Sequence, residues 1–366
     1  MEKLKTDCRH FQSYIPCAPH KKEGVHCSDC GHYDPVKERY LIIKLGAIGD
    51  VIRTTPLLQK IKAVHPRAEI WWLTHTPEIL PDLVDRKLKF DLAGVLQVEE
   101  TEFDYVFSLD KDFEAAAVAN RARGKAKRGF ILNNGKTAPA DGSANHKYLT
   151  GLFNDVSQAN TKSYLEEIFE ICGYQFSEEK YSLPNFAEDG YRWNLNLPRP
   201  LVGLNTGCGE RWTSRLVPEE TWVELAQKLH ESGCGVLLLG GKQEHDRNLS
   251  ISKKSGAAYL GHFPLRQFVN LVDQTDLMVT CVTMGLHISI GLGKKTVLIN
   301  NIFNPNEFEL YSLGEIVQPD KACQCYFRPQ CVNPDYFCLN SLPASKIVES
   351  VSRLLQRAQS QEAEIA

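Results

Sequence analysis

The sequence lacks several features that would place it in other classes of protein. No apolar run approaches the roughly 20 residues that a membrane-spanning helix needs, and the first residues, MEKLKTDCRH, contain no apolar signal core. The formal net charge is only −3, without the excess of positive charge that favours nucleic-acid binding. We therefore expect a cytoplasmic protein with no transmembrane segment and no nucleic-acid partner, and peripheral contact with the inner membrane remains open.

Two common nucleotide-binding motifs are also missing. Gly46 and Gly49 stand between a predicted strand and helix, but no Gly-Lys-Ser/Thr of a Walker A loop follows them. The glycine spacing does not match the dinucleotide motif G-x-G-x-x-G either. No internal repeat or coiled-coil heptad is visible, so a repeat architecture is not expected.

Length and patterning predict two α/β domains. With 366 residues, 43% of them hydrophobic, the chain exceeds the usual domain of about 100 to 200 residues. Short β-branched runs alternate with longer amphipathic segments, which is typical of βαβ units. The predicted organisation is a Cys-rich extension (1–39) with a possible metal site, a first Rossmann-like domain (40–183), a linker (184–200), a second Rossmann-like domain (201–342) that includes a Cys-rich segment (323–338), and a helix and tail (343–366).

The fold class predicted from this alternation is α/β, with two doubly wound Rossmann-like domains that face each other across a cleft. A long exposed loop is predicted over 133–147, where Gly, Asn, Ala and Pro accumulate. The predicted strands are 40–44, 70–74, 95–98, 105–108, 129–132, 201–205, 235–239, 277–280 and 296–300.

The first candidate site is the turn from Lys44 to Asp50, where a strand passes into a helix. Ligands of parallel sheets bind at this edge, and Gly46 and Gly49 would let a ligand approach the backbone. Asp50 would then be placed as a general base. Alternatively, Asp50 caps the helix, a position where Asp is favoured.

The second candidate site is a glycine- and hydroxyl-rich loop that follows the strand 201–205. It contains Thr206, Arg211 and Arg215, and a guanidinium group matches phosphate oxygens well. Such cations would stabilise the charge of a departing diphosphate. The two arginines could equally be surface residues of an ordinary loop.

The third candidate site again joins a strand to a helix, at Thr283, Met284 and Gly285. The free backbone N–H groups of a helix N-terminus attract anions. His287 lies one turn into this helix, and it could instead be a hydrogen-bonded core histidine.

Taken together and in this order, the three turns resemble the heptosyltransferase family (glycosyltransferase family 9), from about residue 40 to residue 312. The resemblance rests on the Gly-Asp pair and the helix start, on a basic residue three places before a proline, and on a strand-turn-helix that ends in histidine. The matching residues are Gly49, Asp50, Val51, Ile52, Thr54, Pro56, Arg215, Pro218, Trp222, Leu238, Leu239, Gly240, Gly241, Thr283 and His287.

The resemblance implies a GT-B fold and an inverting transfer of heptose from an ADP-activated donor to a lipopolysaccharide core or other cell-envelope acceptor. It also implies that domain 40–183 is acceptor-binding and that domain 201–342 is donor-binding. Asp50 would act as base, with Arg215 and the helix start at Thr283 on the donor side and no catalytic metal. The family's Asp-Thr-Gly is replaced here by Val282-Thr283-Met284, and Glu307 or Glu309 could supply the missing carboxylate.

Eight of the twelve cysteines form two groups near the ends of the chain. Because disulfides are disfavoured in the cytosol, each group predicts a thiolate-bound metal, zinc or iron. An iron–sulfur cluster is also open. Protein-modifying heptosyltransferases carry an iron-binding finger after the second sheet, where the second group lies. The predicted ligands are Cys8, Cys17, Cys27, Cys30, Cys323, Cys325, Cys331 and Cys338.

Three other functions stay open. One is a protein O-heptosyltransferase, since the acceptor is not visible in the sequence. Another is a sugar-nucleotide epimerase or hydrolase on the same fold, which would consume donor without acceptor. The third is a metal-binding module without catalysis, which the replacement at Val282 would favour.

Overall fold

The computed structural model describes residues 3–186, 191–209 and 211–365, with side chains described as far as residue 357. The chain divides into two compact units. The first consists of Met1–Gly46, Thr55–Tyr148 and Ile168–Glu179, and the second of Ala47–Thr54, Leu149–Glu167 and Lys180–Ala366. The short segment that carries Asp50 therefore belongs to the second unit.

The first unit contains a six-stranded sheet in the order β3-β2-β1-β4-β5-β6. All neighbouring strands are parallel except β5 and β6, which pair antiparallel. The strands are β1 (Arg39–Ile43), β2 (Glu69–Thr74), β3 (Arg86–Lys89), β4 (Glu102–Ser108), β5 (Arg123–Asn133) and β6 (Lys136–Pro139).

The second unit contains a five-stranded sheet in which every neighbouring pair is parallel, in the order β11-β10-β9-β7-β8. In both sheets the strand order reverses beside the first strand, β1 or β7, so the loops after these strands border the crevice where ligands of such sheets bind. The strands are β7 (Leu201–Asn205), β8 (Gly235–Leu239), β9 (Leu277–Cys281), β10 (Lys295–Ile299) and β11 (Gly314–Val317).

Helices connect most of these strands, as expected for βαβ units. None of the described helices is both long and apolar enough to cross a membrane. The helices are α1 (Ala18–Glu23), α2 (Ile48–Ile52), α3 (Pro56–Val64), α4 (Leu92–Glu99), α5 (Phe113–Arg121), α6 (Asn145–Leu152), α7 (Asn154–Ala159), α8 (Tyr164–Cys172), α9 (Glu219–Glu231), α10 (His245–Ser255), α11 (Leu265–Asp273), α12 (Met284–Gly291) and α13 (Ala344–Ile365).

Each unit has its own apolar core. In the first, Leu41 and Ile43 of β1 pack with residues of β2, β4 and α5. In the second, fully buried Trp222 of α9 packs with the alternating residues of β7, β8 and β9. The side chains of these strands are buried on both faces of the sheet, which explains their almost continuous apolar sequences.

The predicted α/β class with two doubly wound parallel sheets is confirmed. Two local predictions are wrong. Residues 95–98, predicted as a strand, lie in helix α4, because the carboxylate of Asp91 accepts the backbone N–H of Gly94 and caps a helix there. Residues 133–147, predicted as an exposed loop, contain β6 and the start of α6. The predicted domain boundaries stay a prediction.

Candidate active site

Asp50 is the third residue of α2, whose N-cap is Ala47. Its Oδ1 lies 2.9 Å from Nε of Arg53, one turn further along. The guanidinium of Arg53 stacks on the ring of Tyr164, 3.5 Å from its centre. Burial opposes the charge of Arg53, but Asp50 and Tyr164 outweigh it, so the pKa of Arg53 is raised. The carboxylate of Asp50 is thus held by a fixed cation.

Gly49 brings α2 close to α12. A Cβ at this position would lie 2.7 Å from Cδ2 of His287 and 3.4 Å from Cα of Met284, so a larger residue would push the two helices apart. His287 is buried against Tyr181, and within the described residues its Nδ1 has no hydrogen-bond partner. Burial and the nearby Arg53 lower the pKa of His287 to about 3. The imidazole is therefore neutral at physiological pH.

Arg215 is the last residue of a short 3₁₀ turn, Thr213–Arg215, and is half-buried. Its Nη1 donates to the carbonyl of Val282, and its Nη2 donates to the carbonyl of Cys208 at 3.0 Å. In the described part of the chain no carboxylate pairs with it, and its buried Nε has no partner. Burial lowers the pKa of Arg215, although a guanidinium keeps its charge. The guanidinium of Arg215 is therefore a positive charge with no carboxylate partner among the described residues.

Thr283 is the N-cap of α12, because its Oγ1 accepts the backbone N–H of Gly285. The amide of Asn205, at the end of β7, donates to the same oxygen at 2.9 Å. The extended φ and ψ of Thr283 place it just before the helix, whose first N–H groups have no partner within the helix itself. These residues form a helix N-terminus beside Arg215 of the kind that binds anions.

Two cavities, both within the second unit, meet at this point. The Asp50 pocket, of about 450 Å³, is lined by Asp50, Arg53, His287, Glu307 and Phe308 among others. The Asn205 pocket, of about 560 Å³, is lined by Asn205, the glycines 207, 209, 240 and 241, and apolar side chains of 263–268. Each is large enough for a small-molecule ligand. The residues lining both are Ala47, Ile48, Trp212, Arg215, Thr283 and Met284.

The structure thus brings most of the predicted site residues to the two pockets. Arg211 and Gly285 line the Asn205 pocket. Gly49 and Glu307 line the Asp50 pocket. The roles of all these residues stay predictions.

Other predicted residues do not line either pocket. Lys44, in the first unit, is buried in an ion pair with Asp110, and Gly46 precedes the Asp50 segment. Thr206 is buried, and its hydroxyl donates to Oδ1 of Asn248 at 2.5 Å. Glu309 accepts the backbone N–H of Tyr311. Of the two proposed substitutes for the missing carboxylate, only Glu307 lines a pocket.

Among the residues of the Asp50 pocket that were not predicted from the sequence are Arg53, Trp212, Phe303, Phe308 and Phe327. The rings of Trp212, Phe303 and Phe327 contact one another, and Arg215 lies over the first two. Arg53 had a visible signal, since it lies three residues after Asp50, where helical side chains meet. The aromatic cluster had none, because its members are distant in sequence.

The cysteines form the two expected groups, but no group of three or more Cys, His, Asp or Glu side chains within the described ranges is arranged around a metal-ion position. The predicted metals are therefore not confirmed. In the second group, Sγ of Cys325 lies 3.5 Å from Sγ of Cys331, and Nδ2 of Asn301 donates to Sγ of Cys338 at 3.3 Å. Hydrogen bonds from Cys323 and Asn301 lower the pKa of Cys338 to about 6.

Two largely parallel α/β sheets, with a cation and a helix N-terminus between two pockets of the second unit, are the features expected of a protein with an anion-binding site at strand ends. The family model "Glycosyltransferase family 9 (heptosyltransferase)" matches residues 95–336, more than half of the chain. The chain therefore belongs to glycosyltransferase family 9 and is a glycosyltransferase. The predicted family and enzyme class are confirmed.

Relatives of known function and solved structure agree with this assignment. The lipopolysaccharide core heptosyltransferase OpsX of Haemophilus influenzae is 22% identical over 287 residues, 72% of this chain and 79% of the relative. The structure of E. coli ADP-heptose LPS heptosyltransferase II is similar with a TM-score of 0.65 and 17% identity, over 88% of this chain and 99% of that one. The iron-containing dodecameric glycosyltransferase TibC of enterotoxigenic E. coli is similar with a TM-score of 0.51 and 13% identity, over 88% of this chain and 77% of that one.

Proposed function

We propose that the protein transfers heptose, with inversion, from ADP-heptose to a hydroxyl of a lipopolysaccharide core. Family membership and the names of two relatives, a lipopolysaccharide core heptosyltransferase and an ADP-heptose LPS heptosyltransferase, support the donor and the acceptor. The observation that carries the site assignment is Arg215, which lies at the junction of two pockets without a carboxylate partner among the described residues.

Arg215 and the N-terminus of α12 would hold the diphosphate. Carbonyl groups of Val282 and Cys208 fix Nη1 and Nη2 of its guanidinium, and each of these nitrogens has a second N–H that a phosphate could accept. Charge-assisted hydrogen bonds to phosphate are strong, and fixed donors stabilise the charge that grows as ADP departs. No described carboxylate forms an ion pair with Arg215, so its charge stays available to a phosphate.

The rest of the donor follows from the shapes of the pockets. The Asn205 pocket offers glycines that permit close approach of phosphate and ribose, and apolar side chains such as Phe263 and Phe268 for a base. The heptose would then enter the Asp50 pocket, beyond the shared wall at Arg215. Arg211, which also lines the Asn205 pocket, is available to the phosphates.

Asp50 would remove a proton from the acceptor hydroxyl. As the proton leaves, the hydroxyl oxygen forms a bond to the anomeric carbon, and the bond from that carbon to the phosphate oxygen breaks. The electron pair leaves with ADP, so the configuration at the anomeric carbon inverts. His287 is neutral and packs against α2 at Gly49, and we propose that it fixes the helix that carries Asp50.

We place this reaction at the cytoplasmic face of the inner membrane, where the core of the acceptor would be reached without a transmembrane segment.

We also propose that Cys323, Cys325, Cys331 and Cys338 hold a structural iron or zinc ion. The distance of 3.5 Å between two of their sulfur atoms is close to the spacing of about 3.8 Å around a tetrahedral zinc ion. A similar fold in an iron-containing glycosyltransferase supports iron.

The test is release of ADP from ADP-heptose in the presence of a deacylated lipid A core. Loss of a general base costs about 10²- to 10⁴-fold in rate, so we expect Asp50→Asn to lower kcat by about a thousandfold. The affinity for ADP should stay within about twofold, because the phosphates contact other residues. Asp246→Asn changes an exposed aspartate of the same unit and should leave kcat unchanged.

Three outcomes would contradict the proposal. Full turnover by Asp50→Asn would make Asp50 a structural residue of α2. ADP released at the same rate without acceptor would indicate a hydrolase. Transfer to protein serines but not to the core, measured by mass spectrometry, would indicate a protein O-heptosyltransferase.

A further inference from the structure

Phe327, in the Cys-rich segment 323–338, combines an exposed ring with an unusual backbone conformation. The residue is 51% exposed, and its φ of 52° lies in the left-handed region, which bulky residues rarely adopt. Its backbone N–H donates to the carbonyl of Ile302 at 2.9 Å, and the carbonyl of the next residue, Arg328, accepts the hydroxyl of Ser214 at 2.5 Å. Residues held in such conformations are concentrated at functional sites. The conformation of Phe327 therefore points to a role for its ring.

This ring belongs to the aromatic cluster of the Asp50 pocket, which consists of Trp212, Phe303 and Phe327. The ring of Phe327 lies edge to face against Trp212 and Phe303, at distances of 5.7 and 5.4 Å between ring centres. The centres of Trp212 and Phe303 are 5.6 Å apart. All three residues line the pocket and belong to the second unit. The cluster thus gives an apolar surface to a pocket that also contains charged side chains.

An apolar surface beside charged groups suits a ligand that has both characters. The C–H groups of a sugar ring form an apolar face, whereas its hydroxyls project around the edge. Small-molecule sites commonly combine aromatic side chains with a few polar groups that fix the orientation of the ligand. Glu307 lines the same pocket, and a carboxylate can accept hydrogen bonds from two hydroxyls. The Asp50 pocket therefore has the side chains that a sugar needs.

The position of Arg215 indicates which sugar this is. Its guanidinium carbon lies 5.5 Å from the ring centres of both Trp212 and Phe303. If Arg215 holds the diphosphate, the sugar bonded to that diphosphate is the part of the donor that can reach these rings. Among the described contacts, Phe327 is the one ring of the cluster over which Arg215 does not lie. Phe327 can therefore be changed without removing a ring that stacks on the phosphate-binding cation.

We propose that the aromatic cluster binds the apolar face of the donor heptose, and that the Cys-rich segment takes part in donor recognition through Phe327. This inference rests on the transfer function proposed above and names the part of the site that recognises the sugar. The hydrogen bonds on either side of Phe327 would hold its ring in place before the donor binds, which lowers the cost of ordering it.

The test compares the binding of ADP-heptose and of ADP to the full chain, by calorimetry without acceptor. We expect Phe327→Ala to weaken ADP-heptose binding about tenfold and to leave ADP binding within about twofold, because ADP has no heptose. Retained ADP binding would also show that the second unit is folded. Phe327→Tyr keeps the ring and should keep the affinity for ADP-heptose within about twofold. Val332→Ala shortens another exposed apolar side chain of the segment, outside both pockets, and should change neither affinity.

Three results would overturn the inference. Equal losses of ADP and ADP-heptose affinity in Phe327→Ala would place the nucleotide on the cluster. An unchanged affinity for ADP-heptose with a raised KM for the lipid A core would assign the cluster to the acceptor. Unchanged binding and kinetics would leave the cluster with a packing role.

A failure of the proposed transfer reaction would be seen separately. If no heptose reaches any core acceptor, the transfer proposal is wrong. A tenfold loss of ADP-heptose affinity in Phe327→Ala would still support the aromatic cluster as the site of the sugar, because that measurement contains no acceptor.

Discussion

Among the pocket residues that were not predicted from the sequence, Arg53 lies closest to the proposed chemistry. Its ion pair with Asp50 at 2.9 Å and its stacking on Tyr164 fix the carboxylate on α2. A cation this close stabilises the ionised form of a carboxylate. Arg53 would therefore be a positioning residue that also keeps Asp50 ionised, rather than a group that contacts the leaving phosphate.

Replacing Arg53 should change the pH dependence of transfer. Without the cation, Asp50 is easier to protonate, so the base is lost at a higher pH as the solution is acidified. We expect Arg53→Gln to shift the acidic limb of the pH profile of kcat/KM to higher pH by about one unit, and Arg53→Lys to shift it by less. His287, whose pKa of about 3 follows from burial, will not titrate in this range. An unchanged limb in Arg53→Gln would mean that Arg53 has only a packing role.

Among the helices and strands, short strands buried on both faces could be predicted from the sequence, whereas a helix that depends on its N-cap was not. Strands β7 and β8 were predicted with their observed bounds, because short apolar runs buried on both faces end at polar or glycine residues. Residues 95–98 have a similar composition, but the helix there depends on the cap at Asp91. The turns with Asp50, Arg215 and Thr283 could be predicted, since each follows the carboxyl end of a strand, where ligands of parallel sheets bind. The aromatic contacts of Trp212 could not, because they depend on tertiary packing.

The Cys-rich segment 323–338 contacts the turn that carries Arg215. Nδ2 of Asn301 donates to the carbonyl of Ser214 at 2.9 Å and to Sγ of Cys338 at 3.3 Å, and it thereby links the two elements. The backbone N–H of Ser214 donates to the carbonyl of Pro329 at 3.0 Å. The segment therefore supports the wall that Arg215 forms in the Asp50 and Asn205 pockets.

We expect Asn301→Ala to weaken donor binding more than catalysis. The carbonyl of Ser214 would lose a buried partner, at a cost of about 1–3 kcal/mol, and the turn before Arg215 would loosen. The KM for ADP-heptose should rise by roughly tenfold with kcat within about twofold. Asn340→Ala, an exposed position near the same segment, is the control. Equal losses in both variants, or a fall in kcat alone, would argue against this link.

In the molecule as a whole, the residues of the site are grouped differently in space than along the chain. Residues 47–54 follow the first strand of the first sheet, yet they belong to the second unit with α12. Every described residue that lines the Asp50 and Asn205 pockets lies in this second unit. The proposed base and the proposed diphosphate site are consequently parts of one compact unit.

This grouping predicts where ADP protects the backbone. At saturating ADP, hydrogen exchange measured by mass spectrometry should slow in peptides covering 47–54, 201–217 and 277–291, because ligand binding stabilises the unit that holds it. Peptides of β4 and β5 should exchange as before. Arg215→Ala should remove the effect and weaken ADP binding about tenfold or more. Arg353→Ala, which breaks an exposed ion pair with Glu315, should leave the effect intact. Protection confined to β4 and β5, or undiminished in Arg215→Ala, would place the nucleotide elsewhere.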